Sequence, residues 1–326
     1  GRSNIIMAVF FVIITLAWSC GGGGGGGGGS TSPTLTPARM DQGTAENAAA
    51  ISMVGSDLSS FTGGLVDDFV YDRMTRGAAA PTTISLGDWA LKKAREAFLA
   101  GNITRETEKS RSGTISESGG CYSVTGNWTG PNETEDPCDI SDATLTMRFD
   151  GCQEGGMSIN GSMTITIGGV LCLPESVSVQ FRNFSMADDT SGLAVECENF
   201  RMAMTELQYT NQNLEELTHS KVTLNGDIAM DSFNLEFYRY VEDMTYSGAI
   251  TSVMLNGSFT GMCLDGWVTL TTLSPILVSD SSECPYSGSI QLSGTSDVLV
   301  TIYSDGSMTI GDQDYESCRD LPAACQ

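Results

Sequence analysis

Apolar and polar residues follow two periods along this chain, and the change comes near Ser112. From Thr44 onward, Ala48, Ile51, Val54, Leu58 and Phe61 recur at spacings of three and four, which lines them up on one face of a helix. Gly63-Gly64 interrupts the run, and Leu65, Val66, Phe69 and Val70 are placed to continue it. A second helix is predicted from Asp88, an N-cap residue type, to Gly101, a C-cap type, with Leu91, Ala94 and Phe98 as its stripe. Beyond Ser112 the period falls to two. Leu145, Met147 and Phe149 alternate with polar neighbours, as do Met157, Ile159, Gly161, Met163, Ile165 and Ile167. Val177–Phe181, Phe200–Met204, Val222–Met230, Phe233–Phe237, Val253–Cys263 and Val298–Ile302 alternate in the same way. Short links separate most of these runs, so roughly ten to twelve antiparallel strands joined by hairpins are predicted. Parallel units are excluded because no helix-length segment lies between the runs.

One pattern occurs three times, as Ile159-Asn160-Gly161, Leu224-Asn225-Gly226 and Leu255-Asn256-Gly257; another occurs as Tyr246-Ser247-Gly248 and Tyr286-Ser287-Gly288. Asn-Gly ordinarily signals a two-residue hairpin turn. Here the alternation runs through each Asn-Gly in one phase, which puts the glycine in mid-strand on the apolar face. Such a glycine marks a bend or a close backbone approach. The expected fold is therefore mainly β: an antiparallel meander forming a curled sheet or incomplete barrel, preceded by one or two α-helices. A flat β-sandwich is the alternative.

Ile5 to Trp18 is apolar except for Thr15 and follows Arg2. It is shorter than the about 20 residues of a membrane span and matches the roughly 7–15 of a signal-peptide core. It ends in Leu16-Ala17-Trp18-Ser19-Cys20, which resembles the lipobox of bacterial lipoproteins despite Trp18. That resemblance implies acylation of Cys20 and a membrane anchor. The chain opens on Gly1, which predicts a start a few residues upstream. Gly21 to Gly29 and the Ser/Thr/Pro stretch to Pro37 read as a flexible tether with a reach of roughly 25 Å. Residues 1–20 are thus read as signal peptide and lipobox, 21–40 as tether, 41–111 as a helical segment packing on the body, and 112–326 as the β domain.

The lipobox, the glycine tether, an early Ala-rich helix, Phe149-Asp150-Gly151-Cys152 and the Leu/Ile-Asn-Gly repeats together resemble uncharacterised surface lipoproteins of Gram-negative bacteria with β-rich bodies. The resemblance implies a compartment and an architecture: a lipid-anchored protein of the cell envelope, at the outer membrane.

The 326 residues include 40 Asp+Glu against 16 Lys+Arg, a formal charge of −24. A basic nucleic-acid-binding face is excluded by that balance. Six of the basic residues, Lys92, Lys93, Arg95, Arg105, Lys109 and Arg111, fall on the second helix and its exit; after Ser112 six basic residues meet 30 acidic ones. Besides Cys20 there are nine cysteines and no C-x-x-C pair, which points to disulfides rather than metal ligation. Cys121 with Cys138, Cys152 with Cys197 rather than Cys172, and Cys318 with Cys325 are the candidate pairs singled out; because nine is odd, one cysteine is expected to stay free or to bond a partner.

Candidate chemistry is sparse. His219, the only histidine, is expected in a loop or short helical turn and functionally silent. Asp312, Asp314 and Glu316 alternate as weak calcium-ligand candidates, and Glu135, Asp136, Asp139 and Asp142 crowd another segment. Neither matches a twelve-residue calcium loop, and both read as solvated acid. No cofactor is expected. The leading functional expectation is a non-enzymatic, membrane-anchored structural or interaction module, with the membrane, through the N-terminal lipid, and a protein or hydrophobic ligand as partners. A carrier whose half-barrel is lined by Met147, Met163, Met204, Met230 and Phe259 is the first alternative; a hydrolase is the second.

Overall fold

In the computed structural model the described residues are 35–52, 112–119, 121–129, 141–154, 157–170, 173–188, 194–210, 217–230, 233–279 and 284–321. The expected lipobox at Cys20, Cys138, Cys172 and Cys325, the carboxylates Glu135, Asp136 and Asp139, and the second helix with its basic cluster lie outside them. Among the described residues one helix, α1 (residues 42–52), precedes the strands. The strands are β1 (Ser112–Gly119), β2 (Tyr122–Thr129), β3 (Ser141–Glu154), β4 (Met157–Val170), β5 (Leu173–Asp188), β6 (Ala194–Tyr209) and β7 (Leu217–Met230). They continue as β8 (Phe233–Ser247), β9 (Ile250–Gly261), β10 (Val268–Ser279), β11 (Ser287–Ser293), β12 (Asp297–Ile302), β13 (Met308–Ile310) and β14 (Gln313–Tyr315). All are hydrogen-bonded in chain order as a single open antiparallel meander. This is the meander that the alternation predicts, with fourteen strands among the described residues rather than roughly ten to twelve, and not the alternative of two sheets face to face.

The chain divides into a central unit, residues 55–226, and a C-terminal unit comprising residues 1–54 and 227–326. In the central unit the predicted apolar phase is the inner face. Met147, Ile159, Met163, Ile165, Phe181, Phe184, Phe200 and Met204 are at most 3% exposed. Phe181 packs on Phe184 with ring centroids 5.0 Å apart and on Phe200 at 6.4 Å, while Phe149 meets Phe184 edge-on at 6.4 Å. Each such pair contributes about 0.5–1.5 kcal/mol beyond the area it buries.

The Asn-Gly repeats lie in mid-strand, as their phase requires. Gly161 and Gly226 have φ of 95° and 99°. A Cβ on Gly161 would run into the carbonyl oxygen of Asn183, and one on Gly226 into that of Asn199. Opposite Gly161 the β4–β5 register shifts between Asn160 and Ser162, and Asn183 itself has a φ of 45°. An extra residue in one strand is a β-bulge, which bends and twists the sheet locally. Phe181 and Phe184 are therefore both inside although they are three positions apart, an odd spacing. Cys197 and Phe200 show the same step in β6, with Glu198 and Asn199 both exposed.

The C-terminal unit uses the same device. Gly257, with a φ of 132°, faces the backbone of Arg239 and Tyr240, where the β8–β9 register shifts between Tyr238 and Val241. The Tyr-Ser-Gly repeat splits between two environments. Gly248 lies in the β8–β9 turn with open space around it, whereas Gly288 lies at the start of β11 against the backbone of Pro275 and Ile276.

Helix α1 belongs to this unit. Asp41 caps it: Oδ1 accepts from the Thr44 amide at 2.9 Å, which holds the Asp41 carboxyl below the ordinary range. Ala45, Ala48 and Ala49 are fully buried, so the Ala-rich stripe is a packing face with no long side chain to hold it off. The end of the expected tether is built into the unit. Ala38 N donates to Trp267 O at 2.9 Å, Trp267 N to Thr36 O at 2.8 Å, and Thr295 N to Ala38 O at 2.7 Å. Gly266 and Gly294 make room for it, because a Cβ at either would strike its backbone.

The disulfide pairs differ from those expected. Cys121 is bonded to Cys152 across a Cα separation of 5.1 Å, which overturns both Cys121–Cys138 and Cys152–Cys197. The cause is register: Tyr122 pairs with Phe149, so Cys121 lies beside the bulged end of β3. Cys197 instead sits opposite Phe184, buried. Cys284 is bonded to Cys318, with Cα atoms 5.8 Å apart, which overturns Cys318–Cys325. Cys263 is also disulfide-bonded.

Candidate functional site

Two arrangements bring chemistry-bearing side chains together, one in each unit. In the C-terminal unit the bulge at Arg239, whose φ is 49°, inverts the phase of β8. Leu235 and Phe237 are inside before it; Tyr240, Glu242 and Met244 are inside after it. A charged residue type thereby enters the core. Tyr240 and Glu242 are both 0% exposed, and the Tyr240 hydroxyl donates to the carbonyl of Ser52 in α1 at 3.3 Å. Burial, and then the Glu242 charge, push the Tyr240 phenol well above its ordinary pKa. Tyr240 is also ringed by Phe237 and Phe259, at 5.3 and 6.1 Å between centroids. Both groups are closed off from solvent and present no face on which a substrate could sit. Continuing the alternation from Leu235 and Phe237 would have put Arg239 and Val241 inside, so sequence reasoning missed Glu242. The usable signal was Gly257 on the adjoining strand, which marks the bulge.

In the central unit the outer face of the sheet is polar in register. One row reads Ser123, Arg148, Ser162, Arg182 and Asn199 across β2 to β6. The next reads Thr125, Thr146, Thr164, Gln180 and Arg201, and a third Asn127, Thr144, Thr166, Ser178 and Ala203. Thr146 and Thr164 share a hydroxyl hydrogen bond of 3.1 Å. Arg148, Arg182 and Arg201 are exposed. A shallow depression at the end of the first row is lined by Cys121, Tyr122, Ser123, Arg148, Phe149 and Asp150.

The residues singled out in the sequence do not converge. His219 lies in β7 rather than in a loop or helical turn, 3.6 Å from Glu206, which also binds Lys221 at 3.1 Å. Hydrogen bonding and charge from Lys221, then from His219, hold the Glu206 carboxyl below its usual range. Asp314 accepts from the Thr309 hydroxyl at 2.9 Å; Asp312 and Glu316 are exposed on either side. Asp142, also exposed, accepts from the Gly169 amide at 3.2 Å. Among the described residues no group of three or more His, Cys, Asp or Glu side chains is arranged to hold a metal ion. Met147, Met163, Met204 and Phe259 are buried on inner faces as expected; the Met230 side chain lies outside the description.

Comparisons with protein-family models, with curated proteins and with solved structures return no match.

Proposed function

We propose that this chain is a non-enzymatic interaction module of the bacterial cell envelope, anchored through a lipid on Cys20. The carrying observation is the contrast between the two faces of the central sheet. Its inner face is filled by interlocked phenylalanines and methionines at a few per cent exposure, while its outer face offers rows of hydroxyl, amide and guanidinium groups. Rings in mutual contact are how a solid core packs, and they favour a module over a carrier of apolar ligands. No helix among the described residues is long and apolar enough to cross a membrane, and the anchor rests on the Leu16-to-Cys20 sequence.

The test is native mass spectrometry of the full chain extracted from membranes, beside a Cys20→Ser variant. The expected result is an acyl mass on Cys20, loss of membrane partitioning in the variant, and no stoichiometric lipid held by the body. A lipid retained by the variant would overturn the module in favour of the carrier. Membrane partitioning without Cys20 would overturn the anchor.

A further inference from the structure

We propose that Arg148, Arg182 and Arg201 form a recognition site for the phosphate groups of an anionic glycan. The inference rests on the interaction-module reading and names the partner of its outer face. These are three of only six basic residues after Ser112, and the register gathers them on one face of neighbouring strands. Arg148 and Arg182 flank Ser162 in a single row, two strand spacings or about 9.5 Å apart. Arg201 stands opposite Gln180, diagonal to Arg182 at about 7–8 Å. The reach of a guanidinium lets the three heads converge on one phosphate or on two successive ones, and the planar fork matches phosphate oxygens two at a time.

The second observation is their lack of carboxylate partners. In a chain of charge −24, no carboxylate among the described residues lies within ion-pairing distance of any of the three. Lys221 and His219, on another strand of the same unit, share Glu206 instead. Arg182 is steadied by Gln180, whose amide in turn reaches Asn199 at 3.2 Å. Asp150 borders the depression beside Arg148 without an ion pair to it. Guanidiniums with no carboxylate partner among the described residues, set in an acidic chain, complement an anion brought from outside.

Charge and chemistry choose the occupant. A second copy of the chain would double a charge of −24, and a nucleic acid would meet the same repulsion along its whole length. The three rows hold no large apolar side chain that could enter a bilayer. They do hold Ser123, Ser162, Thr146 and Thr164, which can exchange hydrogen bonds with sugar hydroxyls. A glycan with sparse phosphate esters meets both halves of the site.

The test is isothermal titration of the full chain with a phosphorylated mannan, and with the same mannan after its phosphate is removed. Binding is expected only to the phosphorylated polymer, weakening as salt rises. It should fall about tenfold or more in the Arg148→Gln/Arg182→Gln/Arg201→Gln variant and stay unchanged in Lys221→Gln. Should the triple variant fold poorly by circular dichroism, each single Arg→Gln variant is expected to weaken binding severalfold on its own. Equal binding of the dephosphorylated polymer, equal binding by the arginine variants, no binding, or binding only to anionic phospholipid vesicles would each overturn the proposal. Membrane partitioning through Cys20, measured in parallel, separates its failure from that of the module reading: lost glycan binding with intact anchoring removes the ligand alone.

Discussion

The two units handle charge in opposite ways with the same backbone device. In the central unit the bulge at Asn183 keeps Phe181 and Phe184 inside and leaves Arg182 in solvent. In the C-terminal unit the bulge at Arg239 turns that arginine out and carries Glu242 to 0% exposure beside Tyr240. Each bulge shifts the alternation by one residue, so its effect depends on what happens to follow it. Where phenylalanine follows, the core is extended. Where glutamate follows, the core gains a polar group that must be held by its surroundings. An arginine left in solvent and a glutamate carried into the core are thus two outcomes of one local rule.

The glycines opposite the bulges offer the largest test. Gly161→Val and Gly257→Val each drive a β-branched side chain into a neighbouring backbone at a positive φ. Each is expected to cost more than about 4 kcal/mol in denaturant unfolding, beyond ordinary overpacking. Gly151→Ala, at a φ of 62° but with open space around it, should cost only about 1–2 kcal/mol. Similar losses at Gly161 and Gly151 would mean that the bulges are soft and the phase inversions incidental.

The disulfides come next. Cys121–Cys152 and Cys284–Cys318 span 31 and 34 residues, so paired Cys→Ser variants in either unit should lose about 3–4 kcal/mol each by the chain-entropy argument. Nearly equal losses are expected; a loss confined to one unit would show that the other is stapled by its core alone.

Smaller effects separate the buried polar pair from the exposed arginines. Tyr240→Phe removes the hydrogen bond to Ser52 and should cost about 1 kcal/mol, with faster amide exchange in α1. Arg182→Gln should change stability by less than about 0.5 kcal/mol. The reverse order would place the structural burden on the outer face.

The smallest signals are in pH. Burial, then the Glu46 carboxylate beside it, raise the Tyr315 phenol to about 12. The folded state therefore keeps a proton that the unfolded chain releases near 10, and the stability linked to it is full below 10 and is lost as pH rises toward 12. Absorbance of the phenolate follows it. Glu206 behaves oppositely: its depressed pKa gives stability above the ordinary carboxylate range that is lost as pH falls through the folded value. Carbon-detected NMR should find the Glu206 titration returned toward the ordinary range in Lys221→Met; no movement would detach Glu206 from its pair.

Much of this molecule is legible along the chain. The change of period near Ser112, the inner face carrying Met147, Met163 and Phe181, and the mid-strand placing of Gly161, Gly226 and Gly257 all follow from residue order. So does the packing face of α1, because Ala45, Ala48 and Ala49 fall on one side of any helix. What lay beyond reach were relations between strands. Cys121 meets Cys152 because Tyr122 pairs with Phe149; Arg148, Arg182 and Arg201 fall on one face because of the pairing of β3 to β6; Glu242 is inside because an extra residue at Arg239 inverts β8. Thr36 to Met40 look like tether by composition and are held by backbone hydrogen bonds to Trp267 and Thr295. Alternation is set by local stereochemistry and is written in each strand by itself, whereas register, bulges and docking depend on hydrogen bonds to a neighbour, and a strand read alone does not name its neighbour.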